Sequence, residues 1–171
     1  KLLQKEKKME RRVQIKCLAI LAIIVMCMGI GYQLAFTFAR SHMKGLDVSG
    51  MAIGNKEYMC GIDEITEFDK NYVRIKGWVA HLGHVVERYN VHFVLKDLST
   101  NRFYELPSYL EQRDDVNELV SAKDGVNHQM SGLVATVRKS ELKGKYHIYI
   151  EYQNDGENVL VDTVEEQEWN E

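Results

Sequence analysis

The 171-residue chain holds three cysteines, and two of them, Cys17 and Cys27, lie inside a single apolar run. Cys60 is the one thiol outside it, and one thiol forms no intrachain bridge. Any domain beyond the run must therefore hold together without a disulfide. Cys60 itself reads as a small, semi-buried residue at the start of a strand. No Asn-x-Ser/Thr acceptor occurs in the chain. With the lone outer thiol, that absence points to a bacterial envelope rather than a eukaryotic secretory route. Two catalytic signatures are also missing: there is no Gly-x-Ser-x-Gly elbow and no His-Glu-x-x-His. The adjacent carboxylates Asp114-Asp115 and Glu165-Glu166 point in different directions on a helix or a strand, so neither makes an acid–base pair. Asp155-Gly156-Glu157 lacks the oxygen-ligand series of a calcium loop. His81 and His84 form a loop pair with no carboxylate or cysteine at ligand spacing, and His92 alternates outward on the next strand. The expectation is a chain that is not an enzyme and needs neither metal nor cofactor.

What the sequence does have is the uncharged stretch Cys17 to Ala39, closed by Lys16 and Arg40. As a helix, its 23 residues reach roughly 34 Å at about 1.5 Å each, enough to cross a hydrocarbon core of about 30 Å. Residues 1–16 carry seven basic and two acidic side chains, a net of +5. Residues 40–171 carry fifteen basic and twenty-three acidic ones, a net of −8. Short flanks rich in Lys and Arg stay cytoplasmic, so the N-terminus is expected inside and the remainder outside. The acidic remainder excludes nucleic acid as a partner, because that affinity rests on neutralising phosphates. Thr37-Phe38-Ala39 loosely matches a cleavage site, but the apolar run exceeds the roughly 7–15 residues of a signal peptide core. An uncleaved anchor is expected, with the lipid bilayer as its first partner.

Residues 40–60 contain Gly45, Gly50 and Gly54 without sustained periodicity and read as a tether. From Gly61 onward the dominant period is two. Val73, Ile75, Gly77 and Val79 alternate with Tyr72, Arg74, Lys76 and Trp78, and Val91, Phe93 and Leu95 with Asn90, His92, Val94 and Lys96. Leu133, Ala135 and Val137 share a face, as do Tyr146, Ile148, Ile150 and Tyr152. Such alternation marks half-buried strands, and Asn154-Asp155-Gly156 is a hairpin signal between the last two. With Asp63–Phe68 and Arg102–Leu106, about seven strands are expected, a count that matches an all-β, immunoglobulin-like antiparallel sandwich. One helical interruption is expected in residues 111–122, where Val116, Leu119 and Val120 follow i, i+3, i+4 spacing. The organisation read from sequence is a basic segment 1–16, a transmembrane helix 17–39, a tether 40–60, a β-sandwich 61–165 and an acidic tail 166–171.

The outward strand positions gather chemistry. Arg74, Lys76, Trp78, His92, His147 and Tyr149 all alternate away from the apolar set. On neighbouring strands they would form an aromatic and basic platform suited to a cell-envelope glycan. The opposing explanation is ordinary cross-strand pairing, with Trp78 plugging the core beside Gly77. On the membrane helix, Cys27, Gly31, Ala35 and Ala39 recur every four residues and give one face small side chains, which permits close approach of another helix. A membrane-protein partner or a second copy of the chain is the expected contact there.

From Gly77-Trp78 onward, the order of segments YNVHFVLKD, YELPSYLEQRDDV, SGLVATV and SELKGKYHIYI resembles a small β-sandwich module of Gram-positive bacteria. Modules of that kind are appended to glycosyltransferases, teichoic-acid-type polymerases and other cell-surface polysaccharide proteins. The residues that look alike are Gly77, Trp78, Arg113, Asp115, Val116, Gly132, Leu142, Gly144 and Tyr146, across about residues 61–163. The resemblance adds Arg113, in an Arg-x-Asp-Val segment, to the candidate binding residues. An internal Arg–carboxylate clamp is its simpler explanation. No catalytic domain accompanies the module here, so the resemblance implies an accessory or scaffolding role at the cell envelope, linked to surface polysaccharide assembly.

Overall fold

The computed structural model describes residues 2–39, 41–54, 56–84, 89–154 and 156–169. Two compact units follow one another in the chain, residues 1–39 and 40–171.

The first unit is one helix, α1 (Leu2–Ala39), which runs through the basic head into the apolar stretch without a break. Within it, Gln14–Ala39 is long and apolar enough to cross a membrane, with a mean hydropathy of 2.3. Leu18, Ile20, Leu21, Ile23 and their neighbours are all exposed within the unit. A helix apolar all round and this long has the composition of a segment able to span a membrane.

The second unit is mostly β, with ten strands instead of about seven. They are β1 (Lys44–Leu46), β2 (Ala52–Ile53), β3 (Tyr58–Phe68), β4 (Tyr72–His81), β5 (Tyr89–Asp97), β6 (Phe103–Glu105), β7 (Ser108–Glu111), β8 (Gly132–Arg138), β9 (Gly144–Asn154) and β10 (Glu157–Trp169). A helix, α2 (Asp114–Asp124), follows β7. One sheet has the order β1-β6-β5-β9-β10-β2 and the other β3-β4-β8-β7.

The period-two alternation decides which faces meet. Val73, Ile75 and Val79 of β4 and Leu133, Ala135 and Val137 of β8 join Val91, Phe93 and Leu95 of β5 and Tyr146, Ile148, Ile150 and Tyr152 of β9 in one core. Each large apolar side chain so buried contributes on the order of 1.5–3 kcal/mol. That is how the unit holds together while its one cysteine, Cys60, stays free. Cys60 is half-buried near the Asp162 carbonyl, and burial pushes its thiol pKa up, as expected of a structural residue.

The added strands come from the segment expected as a tether. β1 pairs antiparallel with β6, and β2 pairs parallel with β10, so the segment joins opposite edges of the six-stranded sheet. Between them the chain turns on Ser49, whose N–H donates to the Asp47 carboxylate, and on Met51, whose N–H donates to the Val48 carbonyl. Leu46, Val48 and Met51 pack on Val94, Tyr149 and Leu160, a second small core on the sheet's outer face. The segment is a strap rather than a stalk. The expected acidic tail likewise belongs to the fold, because β10 continues to Trp169 opposite Gly144.

On the other sheet, α2 turns Val116 and Val120 toward Ala80, with Trp78, Met59 and Leu82 against them. The helix begins two to three residues later than the sequence pattern implies and leaves Leu119 exposed. It ends at Gly125, whose φ of 74° suits a glycine C-cap.

Gly77 has a different reason to be glycine. A Cβ there would lie 2.4 Å from the Gly61 carbonyl oxygen and 3.2 Å from Phe93, so a side chain has to push β3 away from β4. Gly77→Ala is expected to destabilise the unit by about 1–3 kcal/mol, a typical overpacking cost. Gly45→Ala, which meets nothing within 4 Å, is expected to change little. Denaturant unfolding of the two variants checks this; equal effects contradict the close approach.

Candidate functional site

The residues singled out in the sequence separate onto two opposite surfaces. Arg74, Lys76 and Trp78 lie on β4 of the four-stranded sheet, whereas His92 lies on β5 and Tyr149 on β9 of the six-stranded one. Both groups point away from the shared core, so the core itself stands between them. A single aromatic and basic platform does not form. The reason is strand order: β4 pairs with β3 and β8, not with β5 or β9.

Tyr149 is corrected further. It is 8% exposed, packed beside Phe103 and under the strap, and desolvation raises its hydroxyl pKa. It is part of the second core rather than a platform for a sugar ring. Beside it, His147 lies 2.6 Å from the Asp162 carboxylate and 3.7 Å from Glu166. His92 is half-buried, with Nδ1 3.9 Å from Glu105.

On the opposite face, Trp78 is half-buried between α2 and β3, where its Nε1 would sit 2.9 Å from a Cβ on Gly61. The ring fills space that Gly61 leaves. Arg74 lies over the Phe68 ring at 3.8 Å, and Lys76 pairs loosely with Glu111 at 3.9 Å.

Arg113 forms the clamp that the simpler explanation asked for. Its Nε and Nη2 donate to the two oxygens of Asp115 at 2.8 and 2.7 Å, and its Nη1 donates to Asp63 at 2.5 Å. The fork-to-fork bond to the guanidinium holds the Asp115 carboxyl down at about 2. Asp63 sits at the β3 bulge between Ile62 and Glu64, so the clamp ties that bulge to the start of α2. Gly132 makes room for it, because a Cβ there would lie 2.5 Å from the Arg113 side chain. With its donors committed to two carboxylates, Arg113 serves the fold.

The His81–His84 pair stacks face on face, with centroids 3.9 Å apart and planes 8° off parallel, and Tyr58 stacks on the other side of His81 at 4.4 Å. Stacked rings present faces rather than lone pairs to one another. Among the described residues, no three His, Cys, Asp or Glu side chains converge as a metal-binding group. His128, also buried, bonds through Nε2 to Asp124 at 2.8 Å. Asp124 also accepts the Gly83 N–H at 2.9 Å, which joins the chain after β4 to the end of α2. These backbone and His128 contacts hold the Asp124 carboxyl at about 2.

On α1, the small residues Cys27, Gly31, Ala35 and Ala39 are all exposed, and a Cβ on Gly31 would meet nothing within 4 Å.

One cleft is a feature the sequence reading missed. A cleft of about 460 Å³ lies among β3, the start of β4, the end of β10 and the short turn Lys139–Glu141 with Leu142 and Lys143. Trp169 lines it, packed edge-on to Tyr146 at 5.6 Å. The only sequence signal was an aromatic residue inside an acidic run.

The same turn anchors the chain that leaves α1. Glu141 bonds to His42 Nδ1 through one carboxylate oxygen and accepts the Met43 N–H through the other, each at 2.8 Å. Arg138 donates from its backbone N–H to the Ser41 carbonyl at 3.3 Å and from Nε to the Ser41 hydroxyl at 3.2 Å. Only Arg40 separates the helix from residues built into the β unit. Neither a family model, nor a curated protein, nor a solved structure matches the chain.

Burial of His81 sets a pH dependence. Desolvation first, then the His84 ring, lowers its pKa below the model-peptide value of 6.5. The unfolded chain therefore binds this proton more readily, and stability falls as pH drops below about 6.5. His81→Phe, which keeps a stacking ring without a titrating nitrogen, is expected to flatten the decline. Melting temperatures from pH 8 to pH 5 check this; an unchanged slope contradicts it.

Proposed function

We propose that the chain is a non-catalytic, single-pass membrane accessory or scaffolding protein of the bacterial cell envelope, with its N-terminus cytoplasmic and its β unit outside. The +5 head and the −8 remainder support that orientation. The strand order supports reading the β unit as immunoglobulin-like. The sheet β3-β4-β8-β7 has the connectivity of strands A-B-E-D, and β6-β5-β9-β10 extends C-F-G by one strand.

The observation that carries the reading is the missing stalk. Ser41, His42 and Met43 are hydrogen-bonded to Arg138 and Glu141, so the β unit starts within two residues of Ala39. A module that searches for distant polymer uses a long flexible tether, and residues 41–54, built into the β unit, do not supply one, which favours a partner that is itself in the membrane. The uncovered small-residue face of α1 gives that partner a place to dock. The resemblance to polysaccharide-assembly modules makes surface polysaccharide machinery the context of the role.

Two experiments test this. Glu118→Cys, on the exposed side of α2, is expected to react with a membrane-impermeant maleimide in intact cells; reaction only after lysis reverses the orientation. Crosslinking in native membranes is expected to recover a multispanning protein with the full chain. That partner should be lost when residues 17–39 are exchanged for an unrelated apolar span; recovery that survives the exchange contradicts contact through the helix.

A further inference from the structure

The cleft beside Trp169 has the size and chemistry of a binding site. Its volume of about 460 Å³ lies within the usual range for small-ligand clefts, about 300–1,000 Å³. Its apolar lining, Ile65, Val73 and Leu142, is continuous with the main core and is rigid for that reason. Trp169 adds an aromatic surface.

The charged lining decides the ligand class. Glu67 and Glu168 balance Lys139 and Lys143, so the cleft carries no net formal charge, and Lys139 is ion-paired with Glu67. A phosphate or carboxylate ligand would gain a lysine only by meeting a glutamate. A purely apolar ligand would bury charged and polar groups without partners, which is costly. Thr66, Ser140 and Gln167 add hydroxyl and amide groups that both donate and accept. The ligand that uses this mixture has hydroxyls around its edge and an apolar face for the indole, and it has no charge of its own.

We propose that this cleft binds a neutral pyranose ring of a saccharide. The site goes beyond the accessory role proposed above, and its test does not depend on that role.

The test uses the full chain in phosphatidylcholine nanodiscs, since sugar-headed detergents would compete. The probe is an array of neutral hexose, deoxyhexose and N-acetylhexosamine oligosaccharides beside phosphorylated and uronic-acid ones. Retention on at least one neutral oligosaccharide is expected. Trp169→Ala is expected to weaken it about tenfold, equivalent to about 1.4 kcal/mol. Trp169 also packs on the core, so Thr66→Tyr is the second variant: Thr66 is exposed on the cleft wall, and a bulky ring there should abolish retention at an unchanged melting temperature. Trp78→Phe, outside the cleft, should retain binding. No retention by the unaltered chain overturns the proposal, as does retention that survives Thr66→Tyr or that is confined to charged oligosaccharides.

Discussion

Glu141 holds both the side chain of His42 and the backbone of Met43, and this double contact fixes the start of the β unit's chain against the 139–143 turn. Hydrogen bonds to an ionised carboxylate are worth about 1.5–3 kcal/mol each when partly shielded from water. From there β1 pairs with the β6 edge, and the strap crosses the outer face of the six-stranded sheet to bring β2 to β10. The crossing buries Val94, Tyr149 and Leu160, and it removes the slack that a tether would have given.

Both outer faces of the β unit are thus partly covered by its own chain, one by the strap and the other by α2. A sandwich with no disulfide gains stability from each covering, because apolar side chains on the outer faces are taken out of water as well as those between the sheets. The cost is that the broad sheet surfaces lose their value as ligand platforms. Open chemistry is left at the end of the unit, where β3, β10 and the 139–143 turn do not close on one another.

The strands were legible because alternation is a direct image of a half-buried sheet. Val73, Ile75, Val91, Phe93, Leu133, Ala135, Ile148 and Ile150 all face the core that their spacing implied. The strap was not legible, since its strands are three and two residues long and too short to show a period, and Gly45, Gly50 and Gly54 resemble linker. Tyr149 misled for a related reason. Its outward position was read correctly, but outward means exposed only where nothing crosses the sheet, and the element that crosses lies about a hundred residues earlier. Trp169 lay hidden in an acidic run because β10 extends beyond its apolar pattern along β9. Arg113 was legible as a clamp from its neighbouring Asp115. Its second partner, Asp63, comes from a bulge fifty residues away that no local pattern marks.

The central claim is that residues 41–54 belong to the β unit rather than to a flexible tether. Hydrogen exchange of the full chain in nanodiscs, followed on peptides covering residues 41–54, tests it most directly. The account expects the amides of Met43, Met51 and Gly54, and those of β1 that face β6, to exchange far more slowly than unstructured chain, because each has an acceptor within the fold. Exchange of the whole segment within seconds, at the rate of unstructured chain, while β9 stays protected would contradict it.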